Sequence, residues 1–355
     1  MNFSHTEDRR MLSDSLRRYF AEQYPIETRI KVAYEAPYGA PAKWQELAEL
    51  GVLGMLVSEA DGGFGGTGFD LAVVFEEVGR ALCPEPLLAA LLSLRALTPF
   101  GQAERVQAIA AGTRRCALAI FEDETGDDLD AIQTMATQSD GAWQLSGAKA
   151  IVYGAPGADE LLVVAKTAAG LGLFAAQPSE IESFAMIDGG GAANVRFENA
   201  PAELIAEDAR EALDNALDAG RLALCAEAVG ACDVLLAMTA EYLTQRQQFG
   251  TVIATFQALQ HRLVDMATEA EQARSMTILA ASKLGTPEQA RYLALAKNLI
   301  GRVATQIGEE ATQLHGGIGM TWEYASSHYT KRLIMLDHQL GDRYQQLHRL
   351  LHMAA

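Results

Sequence analysis

The sequence predicts an α+β chain of several domains, helical at both ends and all-β in the middle. Three observations carry this. Apolar residues recur at helical spacing up to about residue 113 and again after about residue 204. Between 114 and 203 they alternate with their neighbours instead, in short runs separated by turn clusters. The length, 355 residues with 49% hydrophobic and only 7% aromatic, fits two or three domains rich in helix-forming aliphatics. The expected boundaries are 1–113, 114–203 and 204–355.

In the first region, Thr6 or Ser4 is placed to cap a helix running through Phe20. Trp44, Leu47, Leu50 and Leu53 mark a second helix, Phe69 to Leu82 a third, and Leu87 to Phe100 a fourth. A glycine-rich loop, Asp61 to Gly68, lies between them; it lacks the lysine ending of a phosphate-binding P-loop. In the middle region, Ala117, Ala119 and Phe121 alternate, as do Trp143 and Leu145, Leu161 to Ala165, Leu171 and Leu173, and Val195 and Phe197. Gly154 to Asp159 and Gly189 to Gly191 punctuate these runs. In the last region, Leu222, Cys225, Val229 and Cys232 share one helix face, and Ile253, Phe256, Leu259, Leu263 and Met266 another. Gly285-Thr286-Pro287 breaks that helix from the next, which runs toward Gln313, and long helices of this kind form up-and-down bundles.

Bulk properties exclude some functions. Lys plus Arg is 28 against 46 Asp plus Glu, a formal charge of −18. Non-specific binding to nucleic acid or anionic membrane needs the opposite balance. The four cysteines, Cys83, Cys116, Cys225 and Cys232, form no CxxC pair and read as small core residues in a reducing compartment. The N-terminal stretch carries charges where a secretion signal is apolar, and no run of about 18 apolar residues is evident, so a cytoplasmic protein without a membrane span is expected.

Several segments together resemble the acyl-CoA dehydrogenase family. They are Trp44 to Gly51 with Gly54, Glu59, Gly62, Gly63 and Gly66; Glu76-Glu77-Val78-Gly79-Arg80; Gly147-Ala148-Lys149 with Ala158-Asp159; Arg246-Gln247-Gln248-Phe249-Gly250 with Phe256-Gln257 and Asp265-Met266; and Gln313-Leu314-His315-Gly316-Gly317-Ile318-Gly319. The resemblance covers nearly the whole chain, in order. It implies an N-terminal helical domain, a central β-barrel or sandwich domain and a C-terminal four-helix bundle, assembled as tetramers. It also implies FAD, held between β domain and bundle with its adenosine diphosphate end reaching a neighbouring subunit. By that resemblance the cofactor-binding residues are Arg246, Phe249, Gln313, His315, Gly316 and Gly317. An Arg fork suits diphosphate oxygens, and glycines let backbone N–H groups come close. In isolation the same residues also suit an ordinary helix turn, and His315 has no visible nucleophile to serve.

The family reaction needs a carboxylate to remove the proton α to the thioester, while the flavin takes a hydride from the β carbon. Families of this fold place that glutamate in one of two positions. One, 27 residues beyond Gln313, is Leu340, followed by Gly341; the other, 26 residues before Arg246, is Gly220, followed by Arg221. Neither is acidic. Asp218, Asp337 and Asp342 are near in sequence, but a side chain two residues away on a helix points elsewhere. The flavin side departs too. The family's Thr-Glu-Pro and Gly-Ser-Asp read Phe121-Glu122-Asp123 and Gly126-Asp127-Asp128, and its Trp-Ile-Thr or Trp-Ile-Ser reads Ile151-Val152-Tyr153. The resemblance therefore points to a subunit without a catalytic base that completes the FAD site of a sister subunit in a heterotetramer, with an acyl-CoA substrate and an electron-transfer flavoprotein as acceptor. Two other readings stay open: a homomeric acyl-CoA dehydrogenase with a relocated base, and a non-catalytic binding or scaffold protein.

Overall fold

The computed structural model describes residues 6–123 and 128–354. The chain opens with α1 (Glu7–Gln23), α2 (Ile26–Tyr34), α3 (Pro41–Glu49), α4 (Gly68–Ala81), α5 (Leu87–Leu97) and α6 (Ala103–Ala110). Seven strands follow: β1 (Cys116–Ala119), β2 (Met135–Ser139), β3 (Ala142–Tyr153), β4 (Glu160–Lys166), β5 (Leu171–Ala176), β6 (Glu180–Ala185) and β7 (Gly191–Ala206). The rest is α7 (Arg210–Gln245), a hairpin of β8 (Gln247–Gln248) and β9 (Thr251–Val252), α8 (Gln257–Lys283), α9 (Gln289–His315), α10 (Ala325–His338) and α11 (Arg343–Ala354). Thr6 caps α1 by accepting from the Arg9 amide; Ser4 lies outside the described residues.

Two compact units divide these elements, and the division falls within α7. The first unit holds residues 1–27, 67–83 and 221–355: α1, α4 and the C-terminal helices. Here α9 packs along α8, α10 and α11. The α4 helix belongs to this bundle because three of its contacts admit no side chain. A Cβ on Gly79 would meet the Glu227 carbonyl oxygen at 1.9 Å, and one on Gly68 the Ala281 oxygen at 2.1 Å. From α7, a Cβ on Gly230 would meet the Glu76 oxygen at 1.9 Å. Charged pairs lock the same crossing. Arg274 bridges Glu76 and Asp233, Arg80 reaches both as well, and α1 is tied to α4 by Arg9–Asp70 at 2.7 Å and Arg17–Glu77 at 2.6 Å.

The second unit holds residues 28–66 and 84–220. Its sheet closes on itself: β4, β2, β3, β7 and β5 pair in that order, and β5 returns to β4. The β2–β4 seam is a single pair, Met135 with Lys166, while β1 and β6 are added at the margins on β4 and β7. Leu145, Val163, Val195 and Phe197 fill the interior, as the alternation predicts; on β5 the interior positions are Phe174 and Ala176 instead of Leu171 and Leu173, because both faces of that strand are buried. The α5 helix packs on β1.

Three expectations need correction. The 203/204 boundary falls inside β7, whose Leu204 and Ala206 still pair with β5. Residues 1–113 are not one body, since α1 and α4 join the bundle while α2, α3, α5 and α6 join the barrel unit. Finally, one stretch is long and apolar enough to cross a membrane by length and composition: it lies in α7, where 72% of it is buried inside the protein as a core helix.

Candidate functional site

In the bundle unit, α7 ends at Gln245 and the chain turns at once through the β8–β9 hairpin. Its two tip residues, Phe249 and Gly250, have φ of 53° and 79°, the left-handed pair a two-residue I′ turn requires. Holding a phenylalanine there is uncommon and costs about 1 kcal/mol. Its ring is 92% exposed, with only an edge-to-face contact to Phe256 at 6.2 Å. Arg246, at the root of the hairpin, is exposed, and its guanidinium makes no ion pair or hydrogen bond among the described residues. The same holds for the Gln313 side-chain amide, exposed in the last turn of α9.

Past Gln313 the glycines have separable reasons. Gly316 takes φ 67° and ψ −145°, open only to glycine. Gly319 is packed, since a Cβ would sit 2.9 Å from that of His315. Gly316 and Gly317 face open space: nothing lies within 4 Å of where a Cβ would stand on either. His315 departs from its assignment: the residue is 3% exposed, its Nε2 is buried and its Nδ1 bonds the Ala311 carbonyl, so neither ring nitrogen is open to a cofactor. The sequence could not separate it from its neighbours because all lie in one short turn.

The expected base positions are apolar in structure as in sequence. Gly220 is a buried residue of α7. Leu340 is 2% exposed in the turn between α10 and α11, with φ 56°, followed by Gly341 at φ 89°. That turn is heavily braced. Arg221 Nε donates to the Leu340 carbonyl at 2.9 Å. Lys297, buried on α9, donates from Nζ to the carbonyls of Leu336, Asp337 and Gly341 at 2.8, 2.7 and 3.1 Å. Burial pushes the Lys297 ammonium down to about 8. These two cations escaped the sequence reading; the signal for Lys297 was a lysine on the apolar stripe of Leu293, Ala296, Ile300 and Ala304.

The nearby carboxylates already have tasks. Asp337 accepts from the Arg343 amide at 3.0 Å and pairs with its guanidinium. Asp342 caps α11, accepting from the Tyr344 and Gln345 amides at 2.9 and 2.8 Å, so its own charge fills a helix N-terminus that would otherwise attract phosphate. Glu227 is gripped on both oxygens by Arg332 at 2.6 and 2.7 Å. Asp218, buried in the barrel unit's share of α7, also has a partner.

In the barrel unit, Phe121 and Tyr153 pack edge to face at 6.3 Å, so two aromatic rings fill the positions where the resemblance expects flavin-binding hydroxyls. Ile151 sits on a bulge of β3 with φ 50°, its side chain 46% exposed and its amide donating to Asn194 Oδ1 at 3.2 Å. A β-branched residue in that conformation is strained. Lys149 is buried and bound to Glu122 at 2.7 Å and to the Ile120 carbonyl at 3.0 Å, so it is a structural anchor. Burial lowers its ammonium to about 8. Burial acts to raise the Glu122 carboxyl, but hydrogen bonds from Lys149 and Thr134 outweigh it and hold the group low. Beside this pair opens a cavity of about 610 Å³ whose lining includes Asp123, Glu180, Glu182 and Arg196, an acidic surface ill-suited to diphosphate. Gly126 and Asp127 lie outside the described residues.

The bundle groups are each of a kind that suits one end of a dinucleotide cofactor: an unpaired cation, a free side-chain amide, an exposed ring and a glycine turn with open space. The barrel unit's groups do not fit a flavin ring in the way the resemblance expects.

Comparison with known proteins agrees with this architecture. Residues 6–110 match the acyl-CoA dehydrogenase N-terminal domain and residues 210–339 the acyl-CoA dehydrogenase C-terminal domain. The chain belongs to the acyl-CoA dehydrogenase family, FAD-dependent oxidoreductases acting on CH–CH bonds of acyl-CoA. It is 30% identical over 333 residues to the acyl-CoA dehydrogenase IpdE2 of Mycobacterium tuberculosis, covering 92% of this chain and 91% of that one. Among solved structures, the Tcur3481-Tcur3483 steroid ACAD, a single-residue variant, is 30% identical with a TM-score of 0.89 and 98% coverage of both chains. The ChsE4-ChsE5 complex from Mycobacterium tuberculosis has a TM-score of 0.90, covering 100% of this chain and 99% of that one at 22% identity, and shares the fold.

Proposed function

We propose that this chain is the base-lacking subunit of a heteromeric acyl-CoA dehydrogenase and completes the FAD site of a sister subunit. One contrast carries the reading. Arg246, Phe249, Gln313, Gly316 and Gly317 are exposed, with the Arg246 and Gln313 side chains unbonded, while the base positions hold Gly220 and Leu340 and the flavin-ring positions hold the Phe121–Tyr153 pair. The 30% identity to a steroid ACAD whose name joins two proteins supports it.

When bound, FAD supplies the hydride acceptor. The task of this chain is to bind and orient: Arg246 holds diphosphate oxygens, Gln313 and the amide of Gly317 donate beside it, Gly316 leaves the approach open although its own amide is held by the Thr312 carbonyl, and Phe249 covers a ring face. Proton removal from the acyl-CoA falls to the sister subunit, and an electron-transfer flavoprotein takes the electrons onward, in the cytoplasm. The test is to express the chain alone and together with its natural gene neighbours, then measure bound flavin and co-purifying protein. A colourless chain that gains flavin only with a second polypeptide supports the reading; a single chain that is fully loaded and oxidises an acyl-CoA overturns it.

A further inference from the structure

His315 has the geometry of a latch. Its ring closes the last turn of α9: Nδ1 lies 2.8 Å from the Ala311 carbonyl. A carbonyl only accepts, so Nδ1 carries the proton and Nε2 is left with a bare lone pair. That Nε2 is fully buried and has no partner among the described residues. The ring lies against two tyrosines, both tilted to it: Tyr242 of α7 at 4.7 Å and 32°, and Tyr324, just before α10, at 5.3 Å and 59°. Gly319 packs directly on its Cβ, which ties the ring to the turn that carries Gly316 and Gly317.

We infer that His315 is the positioning residue of the Gly316–Gly317 turn, fixing it through a neutral ring wedged between Tyr242 and Tyr324. Protonation would place a charge and an N–H with no acceptor inside that wedge, a state the ring can relieve only by leaving it. The titratable groups against the ring are Tyr242 and Tyr324, with Glu241 of α7 acting on Tyr324; none bonds to Nε2. Burial pushes the imidazole below its ordinary value of 6.5, and the bond to Ala311 opposes this only in part. The sign follows: the neutral wedge is intact above pH 6.5 and weakens as pH falls below it, because the released ring binds a proton that the wedged ring refuses. The role as a cofactor-turn positioner rests on the proposed function; the latch itself does not.

The test is amide exchange of residues 316–321 in the full chain, without flavin, at pH 7.5 and 5.5 and corrected for the intrinsic pH dependence of exchange. Protection is expected to fall several-fold, up to about tenfold, at pH 5.5 in the wild type and to stay constant in His315→Phe, which keeps an aromatic wedge that cannot titrate. His315→Gln provides the same comparison should the phenylalanine variant not fold. Equal protection of the wild type at both pH values, or the same acid loss in the variants, overturns the inference. Since no flavin is present, failure here is distinct from failure of the co-expression experiment.

Discussion

Replacing Arg246 with alanine separates a binding role from a structural one. The guanidinium is exposed and bonds to no described residue, so its removal takes nothing from the chain itself. Stability of the purified chain is expected to change by less than about 0.5 kcal/mol, the scale of surface substitutions. Against a diphosphate the same group makes a forked, charge-assisted hydrogen bond worth about 1.5–3 kcal/mol. That corresponds to a loss of about 10- to 150-fold in FAD affinity. The assay has two arms: urea denaturation of the chain alone, and FAD titration of the flavin-depleted complex with its partner, read by flavin fluorescence. Gln313→Ala is expected to behave alike at the lower end of the range, as a neutral donor would. Unchanged FAD affinity in both variants refutes the shared-site reasoning, and a destabilised chain refutes the claim that Arg246 is unengaged.

Other expectations test the scaffold. Lys297→Met fills the volume but strips donors from three carbonyls and should cost about 3 kcal/mol, the balance of about 1–3 kcal/mol per stranded acceptor against relief of a buried charge, seen as a lower urea midpoint. Because the folded Lys297 value is lowered to about 8 against 10.5, wild-type stability should gain from this group as pH rises from 8 toward 10.5, and that gain should be missing from Lys297→Met. Gly79→Ala drives a Cβ to 1.9 Å from the Glu227 oxygen and should cost more than about 3 kcal/mol, whereas Gly317→Ala faces open space and should leave chain stability within about 0.5 kcal/mol, both measured by thermal denaturation. Leu340→Glu should not restore turnover by the chain alone, since the Phe121–Tyr153 pair still occupies the ring-side positions; a steady-state rate with any acyl-CoA would contradict that.

Periodicity revealed the three regions and most long elements because those elements bury one face. The cap at Thr6 and the helix through Phe69 are local consequences of sequence, and β4 and β5 show as short apolar runs between turns, buried on both faces. What escaped was short or exposed. The α2 and α6 helices are 9 and 8 residues and bury only Arg29 and Ala33, and Val106 and Ile109, too few to set a period, while β6 is exposed over Glu180–Ser183. The allegiance of α4 to the bundle depends on glycines meeting another helix's carbonyls, which no local window contains. Of the proposed site, Arg246, Phe249 and Gln313 stand out in the sequence because their spacing is local, and all three are exposed. His315 was misassigned because which way a ring turns is decided by Tyr242 and Tyr324, 73 residues before it and 9 after. Arg221 and Lys297 were missed because their partners are backbone carbonyls, which carry no sequence identity.

The crossing of α4 and α7 also limits how the bundle can flex. Two helices whose main chains touch at Gly79 and Gly230 have no side-chain layer to slide on, so they must shift as a single lever. Any swivel that re-aims the Phe249 tip while leaving α4 in place has to pivot beyond that junction, and the first irregular backbone available is where α7 gives way to the hairpin, at Gln245 and Arg246.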